Sequence, residues 1–139
     1  MSHRAHKTYL KISAVLIGCF GPLFFLGTFP ALDEPIRWSM DLLAWPLDGQ
    51  QTYQHPETRF LGALTGGFLF GWGVLIWLLS GDAYDAAPEA IRRAVVGGYL
   101  CWFVLDSAGS ITSGTASNAV FNIIFLIAFI GPLWRPAKD

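Results

Sequence analysis

Charge is what this sequence has least of. Only 14% of its 139 residues are charged, where soluble domains carry about 25%, and that excludes a soluble globular enzyme and a disordered tail. A basic excess is missing as well. Nine Lys and Arg stand against ten Asp and Glu, so nothing is available to neutralise nucleic-acid phosphates. The two cysteines, Cys19 and Cys101, lie in apolar surroundings, where a thiol behaves as a small hydrophobe; two isolated cysteines build neither a metal site nor a disulfide framework. Histidine occurs only as His3, His6 and His55, outside the apolar runs, which leaves no axial ligand for a buried b-type haem. His3 and His6 read as solvated tail residues. No phosphate-cradling loop, dinucleotide fingerprint, nucleophile elbow or zincin helix occurs, so no metal or cofactor is expected, and a non-enzymatic role is favoured with the enzyme question left open.

What the sequence does have is apolar length. Four runs, at residues 12–29, 60–79, 94–111 and 118–134, are each close to the ~20 residues that cross the hydrocarbon core of a bilayer as a helix. The first run is longer than the apolar region of a signal peptide and is read as a retained span. The expected fold class is therefore all-α, a single integral membrane domain over 1–139 built as a four-helix bundle.

Sidedness follows from the basic residues. With a cytoplasmic amino terminus, Arg4, Lys7, Lys11, Arg92, Arg93, Arg135 and Lys138 lie inside and only Arg37 and Arg59 outside, as the positive-inside rule requires. The expectation is a multi-pass protein of a bacterial cytoplasmic (inner) membrane, with both termini cytoplasmic, a cytoplasmic loop around 80–93 and a short outer turn near 112–117.

The outer segment 30–58 is too long for a plain connection. Asp33-Glu34-Pro35 starts a helix, and Ile36, Met40, Leu43 and Leu47 recur at helical spacing while Arg37 and Asp41 point elsewhere. This predicts a short amphipathic helix between spans 1 and 2, on the outer membrane surface or capping the bundle, with Trp38 and Trp45 suited to the headgroup region. Pro46 is expected to end it. In the second span, Gly62, Gly66, Gly67 and Gly71 make overlapping small-xxx-small pairs, and Ala94 and Gly98 repeat the spacing in the third; such pairs let helices approach closely. Trp72, Trp102 and the many Phe residues are read as lipid-facing or packing groups.

Asp106 is the most informative single residue. It lies about five residues, roughly 8 Å, from the outer end of the third span, and an acid inside a membrane needs a partner. Arg59 begins the second span on the same side, Asn118 and Asn122 share a face in the first turns of the fourth, and Ser107 and Ser110 flank the acid. Two readings stay open: a polar contact tying spans two, three and four together, or a small outward-facing polar site for a headgroup, quinone ring or small solute.

Pro56-Glu57-Thr58-Arg59, the glycine-rich second span through Gly73, the pair Arg92-Arg93 and Asp106-Ser107-Ala108-Gly109 together resemble the small four-span bacterial proteins around the DoxX-like superfamily, over roughly residues 56–134. The resemblance implies a compact inner membrane bundle. It also implies the thiol- or quinone-linked redox complexes of some DoxX-like proteins, the thiol branch of which needs a suitably placed cysteine pair that Cys19 and Cys101 do not make. The expected role is a structural or accessory subunit that packs with itself as a homo-oligomer or with a larger membrane complex; the alternative is a small-molecule carrier or quinone-interacting redox component with its polar site around Asp106.

Overall fold

The computed structural model describes residues 2–137. Its helices are α1 (His3–Gly27), α2 (Glu34–Ala44), α3 (Pro56–Leu78), the short α4 (Tyr84–Ala86), α5 (Pro88–Thr112) and α6 (Ala116–Ile130), the last followed by a 3-10 turn at Gly131–Trp134. Proline supplies three of the starts, Pro35, Pro56 and Pro88, because its fixed φ suits a first helical turn that needs no N–H. Four helical segments are long and apolar enough to cross a membrane, and α1 alone extends about 37 Å at 1.5 Å per residue. The chain is an all-α, multi-pass membrane protein. Large apolar side chains cover its outer surface, with Phe68 77% and Leu105 75% exposed, as a surface facing lipid tails allows.

Three helix limits differ from the expectation. Ser2 caps α1 by accepting a hydrogen bond from the amide of Ala5, so the basic stretch is helical rather than a solvated tail. His6 thereby falls on the face of Leu10, Ala14 and Ile17 and is fully buried, sharing a 2.9 Å hydrogen bond with the Tyr84 hydroxyl. His3 likewise pairs with Asp85, at 3.1 Å. The loop expected at 80–93 shrinks to a break at Ala87, since a π-helical turn at Leu79–Ala83, kinked at Gly81, carries α3 into α4. Helix α2 stops at Ala44 because Pro46 drives its predecessor, Trp45, out of helical geometry. Leu47 is consequently outside the helix and exposed.

Two helix pairs make the bundle. Helices α1 and α3 pack along their lengths, as do α5 and α6, whereas the backbones of α3 and α5 stay apart and meet through side chains such as Trp72 and Tyr99. The α1–α3 crossing is built on glycine: a Cβ at Gly73 would lie 2.6 Å from the Ala14 carbonyl oxygen, and one at Gly66 would lie 3.0 Å from that of Gly21. Gly62 abuts the ring of Tyr53, a loop residue whose phenol burial pushes above its ordinary pKa. Gly67 and Gly71 are different. They sit about 100° and 140° around the helix from Gly66, and among the described residues nothing beyond the helix's own neighbouring backbone comes within 4 Å of a Cβ at either. At Gly98 a Cβ would meet only the Trp72 ring, at an ordinary 3.7 Å. Overlapping small-residue pairs cannot all face one neighbour; Gly18, Gly21 and Gly73 complete the contact instead.

The pairs are fastened together at the end that carries the termini. There Leu10, Ile17, Ile76, Tyr84, Val96, Tyr99, Phe129 and Leu133 form the apolar core. Tyr99 donates to Ser13 at 2.9 Å and Tyr9 donates to the Ala128 carbonyl, both from one pair to the other, while within the α5–α6 pair Arg92, held by Glu89, donates to the Leu133 carbonyl at 2.7 Å. Lys138, counted among the inside charges, lies outside the described residues. At the opposite end the pairs diverge, and α2 bridges the gap. Ile36 is buried against Gly27 and Tyr53, and Ser117 of α6 donates to the Leu43 carbonyl at 2.7 Å. Asp41 does not point away from the bundle as expected; it is buried and accepts from the Gly49 amide at 3.0 Å, which pins the following loop. Helix α2 caps the bundle.

Candidate functional site

Divergence of the two pairs beneath α2 leaves a cavity of about 410 Å³, within the size range of small-molecule sites. Its walls are aromatic. Phe20 and Phe24 come from α1, Phe68 and Trp72 from α3, Trp102 from α5, and Phe125 and Phe129 from α6, while Ile36, Met40 and Leu43 of α2 form the roof. Phe20 meets Phe125 edge-on at 6.1 Å and so closes the α1–α6 side. On the α3–α5 side Trp72 packs against Tyr99 at 5.6 Å toward the end that carries the termini, and nearer α2 Phe68 both lines the cavity and is largely exposed. That side faces the lipid.

The polar side chains of the cavity are Ser39 and Thr65, whose hydroxyls donate back to their own helices, and the cluster around Asp106. Asn122, itself buried, donates through Nδ2 to Asp106 Oδ2 at 2.8 Å and lies 3.2 Å from Ser107 Oγ; Asn118 Nδ2 lies 3.4 Å from the same carboxylate oxygen and 2.8 Å from Ser110 Oγ. Ser110 turns its own proton back to the Asp106 carbonyl, at 2.7 Å. Local sequence dictates this meeting. Asp106 and Ser110 share a face of α5, Asn118 and Asn122 share a face of α6, and the turn between them closes through Gly114, whose φ of +87° suits a residue without Cβ. Asp106, Asn118 and Asn122 border the cavity directly; Ser107 and Ser110 stand behind them.

Arg59 is not in this cluster. Its Nε donates to the Tyr53 carbonyl at 3.0 Å, because α3 packs on α1 and turns its first basic residue toward the loop. A shared membrane depth brought Arg59 to the right height but not to the right side. Sequence reasoning also missed the aromatic walls, although a signal is present: Phe20 with Phe24, Phe68 with Trp72, and Phe125 with Phe129 are all i, i+4 pairs, so three helices each offer a two-ring face.

Comparison with protein-family models, with curated proteins and with solved structures finds no match. The chemistry must be read from the cavity itself.

Both amide nitrogens of Asn118 and Asn122 are committed to Asp106 and the serine hydroxyls. Their carbonyl oxygens therefore point away from the acid, and among the described residues no hydrogen bond reaches Asp106 Oδ1. The open positions, Asp106 Oδ1 and the two amide oxygens, are oxygen atoms that can accept. The unused capacity of this cluster is acceptor capacity, so a molecule that completes it brings an O–H or N–H on a body apolar enough for seven aromatic neighbours. Among the described residues no group of three His, Cys, Asp or Glu side chains is placed to hold a metal ion, and Cys19 and Cys101 are separate, exposed thiols.

Proposed function

We propose that this protein binds a lipid-soluble molecule carrying a hydrogen-bond donor, of the hydroquinone or phenol type, in the cavity under α2. The supporting observation is a roomy aromatic cavity whose largest polar cluster, Asp106 with Asn118 and Asn122, has acceptors to spare. In this reading the ligand enters sideways from the bilayer between α3 and α5, and its ring lies among Phe68, Trp72 and Trp102. The DoxX-like likeness of residues 56–134 supports the same ligand class through the quinone-linked members of that group. The positive-inside balance supports a bacterial cytoplasmic membrane with both termini inside.

Purification from native membranes in mild detergent, followed by solvent extraction and mass spectrometry, tests the reading. The expected result is about one lipid-soluble donor-bearing molecule per chain; a chain that retains only bulk phospholipid contradicts it.

A second reading, accessory packing with another copy or a larger membrane complex, is supported by Gly67 and Gly71. Both are open on the outer face of α3, the arrangement that lets a second helix approach closely. The double substitution Gly67→Leu with Gly71→Leu is expected to reduce the detergent-solubilised oligomer to a monomer while leaving the unfolding temperature of the chain within about 2 °C, a shift below ~1 kcal/mol. An unchanged particle mass argues against this surface.

A further inference from the structure

Helix α1 carries a second ordered surface, facing away from the cavity. Arg4, Thr8, Lys11, Val15, Gly18 and Pro22 recur at alternating four- and three-residue spacing, which places them in one stripe along the helix. The stripe is basic and polar at the terminal end and apolar toward the middle. Its apolar half is the floor of a groove of about 290 Å³ between α1 and α3, where Gly18 lies against Gly73 and Trp77 forms a wall. Its basic half borders a shallow polar depression that also takes in Lys7 and Asp85. The two halves meet where the Lys11 ammonium sits 5.3 Å over the Trp77 ring.

Charge there is unbalanced. Asp85 is engaged by Lys7 at 2.6 Å and by His3 at 3.1 Å, while Arg4 and Lys11 are exposed and have no carboxylate partner among the described residues. From Lys11 to Pro22 the stripe runs about 16 Å at 1.5 Å per residue, close to the ~15 Å of hydrocarbon in one leaflet. We infer that this surface is a binding site for an anionic phospholipid, whose phosphate lies between Arg4 and Lys11 and whose acyl chain lies in the α1–α3 groove. A second copy of the chain fits it poorly. Two copies in one membrane, related by an axis along the bilayer normal, would bring the same unpaired cations together at the same depth.

The test compares phosphatidylglycerol with phosphatidylcholine of identical acyl chains, titrated onto the purified protein and read as retained lipid by native mass spectrometry. Each cation near a membrane surface contributes a factor of about five toward anionic lipid, so a preference on the order of twentyfold is expected. Raising ionic strength should erode it, and Arg4→Gln with Lys11→Gln should reduce it to below about threefold. Val15→Trp, which fills the groove from an exposed wall position outside the glycine crossing, should weaken retention of both lipids alike. Equal retention of the two lipids by the unaltered protein overturns the inference. So does a preference insensitive to salt or to loss of the two cations, or equally strong binding of soluble glycerol phosphate, which has no acyl chain. Arg4 and Lys11 do not border the Asp106 cavity, so these outcomes are independent of what that cavity holds.

Discussion

Gly73→Leu is expected to destabilise the bundle by about 3 kcal/mol or more, enough to prevent accumulation of the folded chain. Overpacking a well-filled interior ordinarily costs ~1–3 kcal/mol because neighbouring side chains can shift. Here the neighbours are backbone. A Cβ at this position would sit 2.6 Å from the Ala14 carbonyl oxygen and 2.8 Å from the Gly18 Cα, so α1 and α3 must separate along the whole crossing. Gly66→Leu should behave similarly, since its Cβ would meet the Gly21 carbonyl oxygen at 3.0 Å and the Phe24 side chain at 2.8 Å. Gly71→Leu, two residues from Gly73 and five from Gly66 but open to the outside, provides the contrast. Thermal unfolding in detergent should separate the variants clearly; a Gly73→Leu protein as stable as Gly71→Leu would show that α1 and α3 do not cross through these glycines.

Asp106→Leu is expected to leave the fold standing and to remove ligand retention, and the relative magnitudes explain why. An intramembrane acid costs about 2.5–3.5 kcal/mol at mid-helix on insertion scales, and less toward an edge; leucine removes that cost. Against this, Asn118 and Asn122 lose an acceptor, a penalty of about 1–3 kcal/mol for a buried donor left bare. Ser110 and Ser107 still accept from the two amides, at 2.8 and 3.2 Å, so the penalty falls at the low end. The two effects nearly cancel. A hydrogen bond from ligand to carboxylate, worth about 1.5–3 kcal/mol, has no such replacement, and retention should fall roughly 10- to 150-fold. Asp106→Asn keeps one acceptor oxygen and should lose less. The measurement is paired: unfolding temperature together with the amount of ligand carried through purification. A large drop in unfolding temperature with retained ligand would make Asp106 a structural tie between α5 and α6 instead.

The spans were legible in the sequence because lipid imposes a length and a composition that four runs meet. Helix ends were less so. Ser2, a strong capping residue, starts α1 ahead of residues whose charge reads as a solvated tail, and the buried His6 is visible only once the helical face of Leu10 and Ile17 is continued backward by one turn. Helix α2 was legible from Pro35 and its apolar spacing, but Asp41 was not, since its partner is the Gly49 amide of a loop whose path no periodicity encodes. At the cluster, the amide partners of Asp106 followed from i, i+4 spacing on adjacent helices joined by a short turn. Arg59 was misplaced because equal depth says nothing about the direction a residue faces around a bundle. The cavity is a property of helix divergence, which glycines at 18, 21, 66 and 73 set by drawing α1 onto α3 and away from α5 and α6.

The most direct measurement is a titration of the purified protein, stripped of endogenous lipid, with an alkyl-substituted hydroquinone and separately with its dimethyl ether. The two have nearly the same shape, but only the hydroquinone offers donors to Asp106 and the asparagine carbonyls. The hydroquinone is expected to raise the unfolding temperature saturably, by on the order of 10 °C at a hundredfold excess over its dissociation constant, while the ether gives no saturable rise. Equal shifts from the two compounds, or a hydroquinone shift that survives Asp106→Leu undiminished, would contradict a donor-selective site at this cavity.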